Sequence, residues 1–126
     1  MTQLAVCLAM LLGTDCTVES GWSSRYDPTP MAATIELRQD WGQLPADLSM
    51  YDGFVAVADC TRIGQDTYLK PAHLTDFERF LVVDCAGAAS THSWMIDNDI
   101  LVELDYDTAE RWGALIESVQ LVEVIP

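Results

Sequence analysis

Three apolar, β-branched runs of this chain each carry or end in an acid. FVAVAD ends at Asp59, FLVVD ends at Asp84, and ILVEL holds Glu103. An acid at the end of a hydrophobic strand is costly to bury unless a partner neutralises it or chemistry uses it. Carboxyl groups gathered in one small domain are candidates for general acid–base chemistry, in which a carboxylic acid hands its proton to a departing group. Burial and a neighbouring carboxylate both raise a carboxyl pKa toward that task. A strand-end aspartate also has a purely structural use, which is to accept backbone N–H groups and cap a turn.

The elements that must position these acids are short. Residues 20–31 are rich in turn formers and read as irregular. AATIELRQ (32–39) alternates and reads as a strand. Residues 40–53 form a long loop, of the kind that lines sites. FVAVAD (54–59) is a buried strand, followed by a turn in which Gly64 is the expected positive-φ residue. Further strands are read at 66–70, 79–84, 99–104 and 118–125, with a small-residue loop at 85–98. Asp105 or Asp107 can N-cap one short helix through AERWGAL, with Glu110 spaced for a capping box with Asp107. Six short strands without helical crossovers predict an all-β, compact barrel.

The chain has 126 residues, half of them apolar, enough for one domain with its own core. Its 6 basic and 20 acidic residues give a net charge of −14. Such a surface repels phosphate backbones and anionic lipid, so nucleic acid is excluded as a partner. The first twelve residues are hydrophobic but too short to span a bilayer. They read either as an atypical signal peptide or as a buried N-terminal segment of the mature protein. The expected organisation is therefore an N-terminal segment, 1–20, and one domain, 21–126. The four cysteines, Cys7, Cys16, Cys60 and Cys85, fit no zinc spacing, and no metal or cofactor motif is present. Cys60 and Cys85 directly follow Asp59 and Asp84, so the two strand ends are expected to lie close. A Cys60–Cys85 bridge is then expected in an oxidising compartment, and buried thiols otherwise.

The order of motifs resembles a known family. VELDYDTAERWG is similar to the closing segment of rare lipoprotein A and related double-psi β-barrels, with Glu103 where that family has aspartate. RFLVVDCAG resembles the preceding strand, with Asp84 at its aspartate. FVAVADCTRIGQDTYL resembles the corresponding segment of the three-aspartate domain, two residues shorter between Asp59 and Gly64. SSRYDP resembles the opening of that domain and places Tyr26 and Asp27 at its entrance. The resemblance implies a six-stranded double-psi β-barrel with one short helix, acting on peptidoglycan as a lytic transglycosylase and needing no cofactor. Asp84 is the expected acid, Asp59 its neighbour, and Glu103 the third candidate, although strand alternation also lets Glu103 face solvent. Tyr26, Trp41, Tyr51, His92 and Trp94 are the expected sugar contacts, since aromatic rings stack on sugar faces. A glycan-binding or structural barrel without activity is the alternative. The implied location is secreted or in the cell envelope, with a cytoplasmic protein as the alternative.

Overall fold

A computed structural model describes residues 2–13 and 15–126. Six strands close into one barrel: β1 (Thr17–Arg25), β2 (Gly53–Val57), β3 (Asp66–Pro71), β4 (Glu78–Cys85), β5 (Ile100–Leu104) and β6 (Gln120–Ile125). Around the barrel the order is β1-β5-β2-β4-β3-β6. The pairs β1/β5 and β2/β4 are parallel and the other four antiparallel. This closed, mixed six-stranded topology is compatible with a double-psi barrel. Each parallel pair carries one bulge, at Trp22/Ser23 and at Val55/Ala56.

Four helices decorate the barrel: α1 (Gln3–Ala9), α2 (Pro28–Asp40), α3 (Ala89–Asp97) and α4 (Tyr106–Arg111). Only α4 was expected. Its N-cap is Asp105, which accepts from the Thr108 N–H, so of the two expected caps the earlier one is used. The expected strand at 32–39 is instead most of α2, and the first barrel strand is β1, much of it in residues read as irregular. The reason is a competing period. Met31, Thr34, Ile35 and Arg38 recur at helical spacing, and Asp27 and Pro28 start the helix as N-cap and first residue. The short alternation in TIELR obscured that signal. The segment 85–98, read as loop, contains α3. Gly64 does adopt a positive φ, +87°.

The barrel interior is filled by Val55, Val57, Leu69, Phe80, Val82, Val102, Leu104 and Leu121. One end is plugged by α4, whose Trp112 packs edge-on against Phe80 with ring centroids 5.5 Å apart. Gly53 sits at that plug because an added Cβ would come within 2.6 Å of both the Phe80 ring and Thr108 Oγ1. Both faces of β4 are covered: Phe80 and Val82 face inward, while Leu81 and Val83 pack with Met31 of α2 and Leu44. Elsewhere on the barrel's outside, α1 packs by β1, β3 and β6, with Cys7 and Cys16 packed against Val124 and joined in a disulfide. A second disulfide joins Cys60 to Cys85, as expected from their placement. Among the described residues, no helix is long and apolar enough to cross a membrane.

Candidate functional site

A single extra residue aims Asp84. Along β4 the side chains alternate inward and outward through Phe80, Leu81, Val82 and Val83. Strict alternation turns the next residue, Asp84, into the hydrophobic interior. Instead the pairing with β2 steps from Val55–Val82 to Ala56–Asp84, and Val83 is left over. The bulge holds Val83 and Asp84 on the same outer side of the barrel, beneath α2.

Two donors meet Asp84 there. Tyr26 Oη donates to Oδ2 at 2.6 Å, and an Arg38 guanidinium nitrogen donates to Oδ1 at 2.8 Å. Tyr26 is positioned by β1, because its backbone N–H donates to the Leu104 carbonyl beyond the last strand pair. Arg38 lies on the barrel-facing side of α2, two turns beyond Met31, and also donates to Gln43 Oε1 at 2.7 Å. The Asp84 and Arg38 side chains are each only 17% exposed, so these charge-assisted bonds are partly shielded from water. Both Asp84 oxygens are therefore taken by side-chain donors rather than by the backbone.

Glu103 belongs to the same surface. Ala56 pairs with Asp84 on one side and with Glu103 on the other, and Glu103 in turn pairs with Ser24. Ser24, Glu103, Ala56 and Asp84 thus form one row across four strands. Strand spacing puts the Asp84 and Glu103 Cα atoms about 10 Å apart. Ala56, which lies between them in the row, is itself buried. Glu103 is half-buried rather than solvent-facing. Burial raises its pKa above the usual glutamate value, and the neighbouring Asp84 and Asp27 carboxylates push it further the same way. The Tyr26 hydroxyl is raised too, first by burial and then by its bond to Asp84. Glu103 thus keeps its proton to higher pH than an open glutamate, while Asp84 is held in place by its two donors.

Asp59 has different work. Its Oδ1 accepts from both the backbone N–H of Thr61 at 2.9 Å and the Thr61 hydroxyl at 2.8 Å. It thereby caps the single 3₁₀ turn Cys60–Arg62. The Thr61 hydroxyl and N–H hold its pKa below the usual aspartate value. Its hydrogen bonds stay within its own turn, so it does not orient Asp84.

The aromatic candidates divide in the same manner. Tyr26 contacts Asp84 directly. Trp41 is the C-cap of α2, three residues past Arg38, and is 61% exposed. Tyr51 is occupied elsewhere: its hydroxyl donates to Asp66 at 2.7 Å and its ring lies under the Arg79 guanidinium. Trp94 is exposed on α3. His92, also on α3, meets the Ala58 carbonyl through Nδ1 at 3.0 Å and so pins that helix to the end of β2. Trp22, on β1, is exposed two residues before Ser24.

Two features escaped the sequence reading. Arg38 was hidden inside a segment read as a strand. Glu123, on β6, is fully buried, with Oε2 accepting from Arg62 at 2.8 Å and from the Thr67 hydroxyl at 2.6 Å. A usable signal did exist. With five arginines among 20 acids, each arginine is a marker for a selected carboxylate, and all five are ion-paired.

No protein-family model matches this chain, and no curated protein sequence matches it.

Proposed function

We propose that this barrel cleaves a cell-wall glycan by the lytic transglycosylase route, with Glu103 as general acid and then base. The observation that carries the reading is the Glu103–Ala56–Asp84 row: a half-buried acid with a raised pKa facing a carboxylate clamped by Arg38 and Tyr26. In this reaction Glu103 gives its proton to the glycosidic oxygen as the C1–O bond breaks. The sugar's own 6-hydroxyl then attacks C1, and its proton passes to the Glu103 carboxylate. An intramolecular anhydro bond forms, the acid is regenerated and no water is consumed. The fixed negative charge of Asp84 stabilises the oxocarbenium-like centre between the two steps. Tyr26 reaches this row through Asp84, and the exposed Trp41, at the end of α2, and Trp22, two residues before Ser24, are the ring surfaces proposed for neighbouring sugars.

Two disulfides support a location in an oxidising compartment, secreted or at the cell envelope, where such a polymer is met. The second reading is a glycan-binding barrel without activity. It is favoured by the occupation of both Asp84 oxygens, which leaves one free carboxyl group in the row.

Incubation with purified peptidoglycan, followed by mass analysis of the soluble fragments, separates the two. The enzyme reading expects anhydro-sugar ends from the wild type and none from Glu103→Gln. Co-sedimentation with the polymer, without any released fragment, supports the binding reading. Hydrolytic fragments carrying an extra water overturn the transglycosylase mechanism.

A further inference from the structure

The barrel end opposite the α4 plug is not filled. A cavity of about 560 Å³ opens there, between the Cys60–Arg62 turn, α3 and the ends of β1, β5 and β6. It lies apart from the Asp84 row, and the inference below does not rest on the glycan reading. Glu123 and Arg62 line its inner part. Apart from Thr67, which donates to it, Glu123 has apolar inward neighbours such as Leu69 and Leu121 along β3 and β6, so a glutamate here is costly. Arg62 and Thr67 both satisfy Oε2, whereas Glu123 Oε1 and Arg62 Nε are each buried without a hydrogen-bond partner. A buried acceptor left unmade forfeits about 1–3 kcal/mol, more for a charged group. The ion pair thus keeps one acceptor free on Glu123 and one donor free on Arg62, and the charge of the surrounding lining decides which of them a guest meets.

The rest of the lining favours the acceptor. Glu19, Asp59 and Asp99 stand exposed around the opening, against the single cation Arg62, which Glu123 already neutralises. That field repels anions and draws in cations. Between rim and floor the wall is apolar, with Met95 and Leu101 below the exposed Ile96. A guest must therefore carry positive charge and N–H donors at its tip, on a short hydrocarbon body. The structure assigns this cavity as a site for an aliphatic primary ammonium group, free or at the end of a peptide side chain. Its N–H donates to Glu123 Oε1 while its methylenes pack on Met95, Ile96 and Leu101.

Calorimetric titration of the full chain with cadaverine, butylamine and n-butanol tests this. A fourth arm uses an acetylated alanyl-lysyl-alanine amide. Salt near 0.15 M suppresses diffuse attraction of amines to the acidic surface. One-site, saturable binding of the amines is expected, with butanol far weaker. Binding of cadaverine alone defines a small-amine site, and binding of the peptide as well defines a side-chain site; either sustains the assignment. Glu123→Gln is expected to weaken amine binding by more than about tenfold, as loss of a buried charged acceptor does. Ile96→Trp alters an exposed wall residue and is expected to block entry with the fold intact. Absence of saturable amine binding overturns the assignment. So does equal binding of butanol, or unchanged binding by both variants.

Discussion

Two arginine–carboxylate pairs of equal length, 2.8 Å, sit on opposite sides of the barrel wall and do opposite things. Outside, Arg38 and Tyr26 occupy both oxygens of Asp84, and water still reaches the pair. Inside, Arg62 and Thr67 crowd onto one oxygen of Glu123 and leave the other bare, with the carboxylate only 1% exposed. In the outer pair both carboxylate oxygens are met, although Arg38 Nε is buried without a partner, and in the proposed reaction the proton donor is Glu103. The inner pair differs in leaving a buried carboxylate oxygen bare, and that oxygen is the one the proposed ammonium group would meet. Distance alone does not distinguish a structural ion pair from a binding site; the count of unmet lone pairs and the depth of burial do.

The sharpest way to break the comparison is at its inner side. Arg62→Met leaves Glu123 buried and unpaired, and a loss of about 3–5 kcal/mol is expected from denaturant unfolding. The double variant Arg62→Met, Glu123→Leu is expected to recover most of it, since well-packed apolar replacements of a buried pair are often neutral. If the double variant is no more stable than the single, burial of charge is not what makes this end special.

The Cys60–Cys85 bridge ties the two sides together. Cys60 opens the turn that carries Arg62, and Cys85 directly follows Asp84. The 25-residue separation it closes predicts a loss of about 3 kcal/mol for the double serine variant. Both the glycan-directed activity and amine binding are expected to fall in that variant, whereas Arg62→Met is expected to affect amine binding far more than activity. Next in size is Arg38→Met. Water reaches Asp84 and compensates part of the lost bond, so about 1–2 kcal/mol is expected, well below the inner variant. Anhydro-product release is expected to drop, because Asp84 is no longer held opposite Glu103.

What the sequence disclosed follows from the range of each signal. Five of the six strands and the closed barrel were legible because continuous β-branched runs such as FVAV and FLVV are local and strong. The α2 helix was missed because its apolar stripe is narrow and interrupted by the exposed Leu37. With it went Arg38, and so the reason why Asp84 is held rather than poised. The aim of Asp84 depends on a bulge, which arises from pairing with a strand about thirty residues away and leaves no mark in FLVVDC itself. The role of Asp59 stayed open for a related reason. The D-C-T spacing that lets Thr61 satisfy it is visible, but a turn cap and a catalytic neighbour look alike until a partner is known. Glu123 stood in QLVEVI as a normal outward acid of an edge-like alternation; only closure of the barrel turns that position inward.

The smallest expected effect, and the finest test of the outer row, is the pH dependence of stability that Glu103 imposes. Its pKa is raised in the folded chain by burial, Asp84 and Asp27, relative to the open value it regains on unfolding. In the window between those two values the folded state holds the proton more often than the unfolded state. Stability contributed by the protonated group is therefore fully present below the ordinary glutamate value, and is lost as pH rises through the raised one. Glu103→Gln cannot ionise, so its stability should lack that fall. The measurement is the difference in melting temperature between wild type and Glu103→Gln, followed upward from below the glutamate range. The gap is expected to move in favour of the variant as pH rises, then level off. Adding Asp84→Asn to both proteins removes one source of the shift and should narrow the movement. A gap that stays flat with pH would mean that Glu103 titrates as an open surface acid, and the row would then lose its candidate proton donor.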